Sequence, residues 1–171
     1  MQSIAIHDSN EVLKGVRGAM FQLAMIAAAA ALPAACHLTG APVKVLLPMH
    51  WPVLAAGLFC GWRSGLLAGA VSPLISFALS GMPPAGYLPL MAVELSVYGF
   101  AAGFAFERLR LKPVLSVLLA VLAGRAAYVA VAAFSIPAAA ALGGLLPGLP
   151  AALAQVALLP LAHYKFSKKA D

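Results

Sequence analysis

Two ionisable residues stand where the surrounding sequence offers them no water. Glu94 and Arg125 each interrupt a long apolar run. A charge in such a setting costs several kcal/mol, so each is a candidate for function by default. Counting along the runs, Glu94 lies about seven residues, or roughly 10 Å, from one end of its run, and Arg125 about nine residues, or roughly 14 Å, from the matching end of its own. Tyr128 lies one turn beyond Arg125, and Gln155 reaches a similar depth in the last run. His50 and Trp51 enter near the same end of a further run. The chemistry open to this set is recognition: a guanidinium donates two parallel hydrogen bonds to an anion or carbonyl. A carboxylate, phenol and amide accept or donate singly. Polar groups gathered in one half of an apolar bundle suggest a cavity open to that side, over an apolar floor.

Blander roles stay open for each. Glu94 and Arg125 could only neutralise each other, and Gln155 could only bond a neighbouring helix. Trp51, Tyr87, Tyr164 and His50 also suit the membrane–water interface. His37 and His163 fall at the ends of runs, where solvation is expected. No His, Cys or carboxylate cluster has metal-ligand spacing, so no metal or other cofactor is expected. Gly61 to Gly65 lacks the length and lysine of a phosphate loop. Ser72, Ser76 and Ser96 have no companion base at a recognisable spacing, which leaves enzyme chemistry without a centre.

The elements that must position these residues follow from composition. Of 171 residues 63% are hydrophobic and 9% charged, where a soluble domain carries about 25% charged. The mean hydropathy is +0.97. The apolar runs span about 16–36, 45–60, 64–80, 87–107, 112–134 and 147–164. They are apolar all round, which selects helices over alternating barrel strands. The expected fold is a single all-α integral membrane domain, 1–171, of six transmembrane helices. Pro48 and Pro52 make the second run short, and Pro73 is expected to kink the third. Gly61 to Gly65 reads as a tight turn, Ser80 to Gly86 and Glu107 to Pro113 as connectors, and Ser135 to Pro147 as a loop or part-helical cap. The opening Met1 to Glu11 is polar, so no cleaved signal peptide is expected. Cys36 and Cys60 fall at opposite ends of their runs and imply no disulfide.

Charge sets the orientation. Lys14, Arg17, Arg63, Arg108, Arg110, Lys112, Lys165, Lys168 and Lys169 fall on one side of the bundle and only Lys44 on the other. The positive-inside rule then predicts that both termini are cytoplasmic and that the polar layer lies toward the outside. The net charge of +6 is thereby explained as topology, and no nucleic-acid partner is expected. Small residues in the first run, Ala24 and Ala28 with Ala27 and Ala31, form a stripe against which another helix can come close. It suits either internal packing or docking of a membrane partner.

Several stretches resemble the substrate-binding S components of energy-coupling factor (ECF) vitamin transporters. They are Leu47 to Gly65, Ser72 to Ser76, Gly81 to Pro84, Glu94 to Gly99, and Gly124-Arg125 followed by Tyr128. The resemblance implies a six-helix protein of the bacterial cytoplasmic (inner) membrane. It would bind a vitamin or related micronutrient from outside and topple in the bilayer to deliver it. A membrane coupling protein and two cytoplasmic ATPases would supply the energy. It implies a substrate layer of Glu94, Tyr98, Arg125, Tyr128, Gln155 and His50. It also maps a coupling-protein contact onto Ala24 and Ala28, and a gate onto His37, Thr39 and Lys44. The nearest subgroup includes predicted pantothenate and cobalamin-precursor binders, without settling the vitamin. A membrane scaffold subunit, a solitary micronutrient transporter and a lipid-modifying enzyme are the competing readings.

Overall fold

The computed structural model describes residues 15–134 and 138–170. Met1 to Lys14, and the Ser135–Pro137 part of the expected cap, lie outside the described residues. Eight α-helices follow in order: α1 Gly15–Thr39, α2 Val43–Leu46, α3 His50–Cys60, α4 Trp62–Ser80, α5 Leu88–Glu107, α6 Pro113–Ala132, α7 Ala138–Leu145 and α8 Leu149–Ala170. Short 3-10 turns at Ala85–Tyr87 and Leu146–Gly148 lead into α5 and α8. Among the described residues six stretches are long and apolar enough to cross a bilayer: Gly15–Thr39, Val43–Cys60, Trp62–Ser80, Ala85–Glu107, Pro113–Ala132 and Leu142–Lys168. The protein is an all-α, multi-pass membrane protein.

The second span is two helices, α2 and α3, where the sequence suggested one short run. Leu47 takes a left-handed conformation, φ 47° and ψ 53°, and closes α2. For a residue with a Cβ that conformation costs roughly 1–2 kcal/mol. Pro48 cannot donate the hydrogen bond that would continue the helix. The chain restarts at His50, whose N–H donates to the Leu47 carbonyl at 3.0 Å. The Trp51 indole N–H donates to the Leu46 carbonyl at 3.0 Å, satisfying one carbonyl freed by the break. Trp51 is therefore bound to its own chain at its polar end.

Some other expectations are corrected and others hold. The turn expected over Gly61 to Gly65 is Gly61 alone, at φ 89°, with α4 starting at Trp62. Only glycine adopts that backbone without strain. Glu107 ends α5, as the expected span of 87–107 had it, and its carboxylate accepts from the Trp62 N–H at 3.3 Å. Pro73 sits inside α4, which continues through it. The expected cap after the fifth span is partly helical, as α7 and the turn that follows. His163 is buried, not solvated. Its ring lies 5.0 Å from Phe59 and 4.8 Å from Phe106, centroid to centroid.

The centre of the bundle is built on glycine. A Cβ on Gly65 would fall on the backbone of Gly99, one on Gly99 would fall on Gly65, and one on Gly69 would fall on the backbone of Leu95. Helices α4 and α5 thus run antiparallel in backbone contact. At the same spot on α5, a Cβ on Gly57 of α3 would meet the Gly99 carbonyl oxygen, and a Cβ on Gly65 would also crowd the Gly57 Cα, so three helix backbones converge there. Lipid gives helices no hydrophobic reason to associate, so such close approach is what holds them. The result fixes α3, α4 and α5 as one rigid unit, with α1 packed on α3 and α4, and α6 and α8 completing the bundle.

Candidate functional site

The glycine contacts determine where the polar residues of α5 point. With Gly99 and Gly103 turned to α3 and α4, Glu94 and Tyr98 fall inside the bundle, 5% and 0% exposed. His50, at the restart after the helix break, faces both. Its Nε2 lies 3.5 Å from the Glu94 Oε1, and its ring meets Tyr98 edge-on at 4.9 Å. Tyr98 lies flat against Gly124 of α6, where a Cβ would collide with its ring. The residue after Gly124 is Arg125, so the phenol and the guanidinium are brought together.

Small residues on α7 and in the 3-10 turn before α8 seat the α6 side chains. Gly148 receives the Arg125 guanidinium, with Leu47 beside it, and Gly144 receives the Tyr128 hydroxyl. Tyr128 lies within electrostatic range of Glu94, Tyr87 and Arg125. Gln155 is buried in α8, which packs on α6 and α3. By helical rise, Glu94 lies about 9 Å into α5, Arg125 about 10 Å from the end of α6, and Gln155 about 9 Å into α8. The three residues thus stand at similar distances from their helix ends.

The pairing among these residues differs from the simplest expectation. Among the described residues the carboxylate within ion-pair distance of His50 is Glu94, and Arg125 has no such carboxylate. Many polar atoms here are buried without a hydrogen-bond partner among the described residues. They are His50 Nδ1 and Nε2, Ser76 Oγ, Tyr98 OH, Arg125 Nε and Nη2, and both amide atoms of Gln155. Native interiors leave few such atoms, and each one left needs a reason.

The sequence reading passed over several of these contributors. Ser76 lacked a catalytic companion there, yet it sits one turn from Ser72, and both are fully buried on α4. Ser72 satisfies itself on the Ala68 carbonyl at 2.6 Å, while Ser76 does not. Pro48 and Pro52 flanking His50 were the signal for the helix break. Gly144 was read only as part of the Ser135 to Pro147 cap, and Gly148 only as part of the last apolar run.

The two peripheral groups of candidates lie elsewhere. His37 and Thr39 belong to the last turn of α1 and Lys44 to α2, so the expected gate loop narrows to Gly40–Pro42. Thr39 Oγ1 donates back to the Ala35 carbonyl at 2.9 Å. On α1, Ala24, Ala27 and Ala31 are exposed with Val16, Met20 and Leu23, whereas Ala28 is half-buried. Opposite that face, Gln22 accepts from Ser64 of α4 at 3.1 Å.

Fold and site together define a membrane bundle with polar side chains buried between its helices. Residues 19–167 match the family described as ECF transporter, substrate-specific component. The chain belongs to that family. No curated protein and no solved structure matches it.

Proposed function

We propose that this protein captures a small water-soluble micronutrient, a vitamin or related compound, from outside the bacterial cytoplasmic membrane. It binds the cargo between α3, α5, α6 and α8, with His50, Glu94, Tyr98, Arg125, Tyr128 and Gln155 as contacts. It delivers the cargo inward together with a membrane coupling protein and two cytoplasmic ATPases. The observation that carries this reading is the set of buried, unpartnered polar atoms drawn from separate helices at one depth. A polar ligand would supply the missing bonds, and water would refill them on its release. The chain has no phosphate loop, so energy has to come from partner chains.

The exposed α1 face is the docking surface in this reading. Ala24→Trp is expected to weaken co-purification of the coupling protein at least tenfold while micronutrient binding stays within twofold, because close helix contact tolerates no added volume. Ala28 is half-buried, so Ala28→Trp should impair both. Pull-down and binding measured on the same two variants test this. Loss of binding in Ala24→Trp would return the stripe to internal packing.

The membrane orientation is a separate expectation. With both termini cytoplasmic, cysteines introduced at positions 44 and 82 react with an impermeant maleimide on intact cells. A cysteine at 110 reacts only after permeabilisation. The reverse pattern inverts the protein and points the polar layer inward.

A further inference from the structure

The unpartnered atoms of Arg125 are not a random subset of its donors. Nε and Nη2 share one edge of the guanidinium plane, the edge that presents two parallel N–H groups to two oxygens of one ligand group. Both are buried without a hydrogen-bond partner among the described residues. The nearest acid on the adjacent helix, Glu94, is engaged with His50 at 3.5 Å. The second described acid, Glu107, is at the other end of α5, against Trp62 and Arg108. The cation edge is thus set up, desolvated and without a counter-charge of its own.

We infer that the cargo is a singly charged carboxylate that carries a hydroxyl or amide group. The carboxylate binds the Nε–Nη2 edge of Arg125, and the second group binds the Gln155 amide. This deepens the binding reading above and rests on it. Charge selects a carboxylate over a phosphate. Arg125 supplies one positive charge, which one carboxylate matches, whereas a dianion would leave a second negative charge in the buried site beside the Glu94 carboxyl, which low dielectric penalises. Gln155 adds the second requirement. Both its Oε1 and Nε2 are buried and unpartnered at 0% exposure. A group that donates and accepts at once satisfies both, as a hydroxyl or secondary amide does and a hydrocarbon does not. The Tyr98 hydroxyl is a third unpartnered group on the same side.

The probe is deproteinised yeast extract, split by ion exchange into anionic, neutral and cationic small-molecule fractions. Each is added to the purified full-length protein in detergent, and the melting midpoint is followed. The anionic fraction is expected to raise the midpoint by several degrees. Methyl esterification of that fraction should abolish the shift, and phosphatase treatment should not. Arg125→Lys keeps the charge but loses the planar edge, and should need roughly tenfold more of the fraction for the same shift. The esterification arm uses the unaltered protein, so the inference stays testable if the variant folds poorly. A shift from the neutral or cationic fraction alone overturns the carboxylate and leaves the binding function standing. A shift that survives esterification and disappears with phosphatase assigns a phosphate and overturns the charge argument. Stabilisation by none of the fractions overturns the binding reading itself.

Discussion

Gly99→Leu is expected to leave little folded protein. A Cβ at Gly99 would fall on the backbone of Gly65, and a Cβ at Gly65 would fall on that of Gly99. No side chain can rotate aside to make room, so the helices themselves have to separate. Overpacking typically costs about 1–3 kcal/mol where neighbours yield, and more where they cannot. Separating α4 from α5 also removes the contact that α3 makes through Gly57 with the Gly99 carbonyl. Gly86→Ala and Gly143→Ala are the controls, because nothing lies within 4 Å of a Cβ at either position. They should change stability by less than about 0.5 kcal/mol. Size-exclusion profiles and thermal midpoints of the four proteins decide it. A Gly99→Leu variant that stays monodisperse and melts with the wild type would mean that α4 and α5 are not in backbone contact.

Glu94→Leu should cost about 3–5 kcal/mol, the usual penalty for removing one member of a buried charged group. The carboxylate is buried and lies 3.5 Å from His50 Nε2. Glu94→Gln keeps the shape and should cost less. A double-mutant cycle then apportions the interaction. Glu94→Gln with His50→Gln should show coupling of about 1–3 kcal/mol, as expected of residues in direct contact. Glu94→Gln with Arg125→Lys should show less, because those two are not within ion-pair distance. Cargo affinity measured on the same variants separates site from scaffold. Loss of affinity in Arg125→Lys at nearly unchanged stability supports a ligand contact. Normal affinity with a lower melting point would make the residues structural. Coupling that is larger between 94 and 125 than between 50 and 94 would restore the simple acid–base pair read from the sequence.

Much of the site was legible before the fold was known. Glu94, Arg125 and Gln155 announce themselves by type, since a charge or amide within a span is too costly to be incidental. Their common depth followed from helical rise alone. Their partners did not follow. His50 pairs with Glu94 because the second span breaks at Leu47 and restarts on the residue before Trp51. Counting along an unbroken helix does not predict that break. His163 was misread for a related reason: position near the end of a span suggests water, while Phe59 and Phe106 on other helices close over it. The small-residue signal was noticed on α1, where Ala24 and Ala27 are exposed, and overlooked on α3, α4 and α5, where Gly57, Gly65 and Gly99 meet. One-dimensional spacing shows that a helix has a smooth face but not which helix lies against it.

Composition and hydropathy by themselves determined that this chain lies in a bilayer as six spans, because no soluble globule of this size can hide so much apolar surface. The residue types at Glu94, Arg125 and Gln155 marked them as the costly polar groups within the spans. The tertiary structure decided how those groups are arranged. Glycine contacts among α3, α4 and α5 set the helix rotations, turning Glu94 and Tyr98 inward. Gly124, Gly144 and Gly148 left room for the Tyr98 ring, the Tyr128 hydroxyl and the Arg125 guanidinium. Helix rotation depends on contacts between residues far apart in the chain, and it decides whether a costly polar group is paired within the protein or left to bind something else.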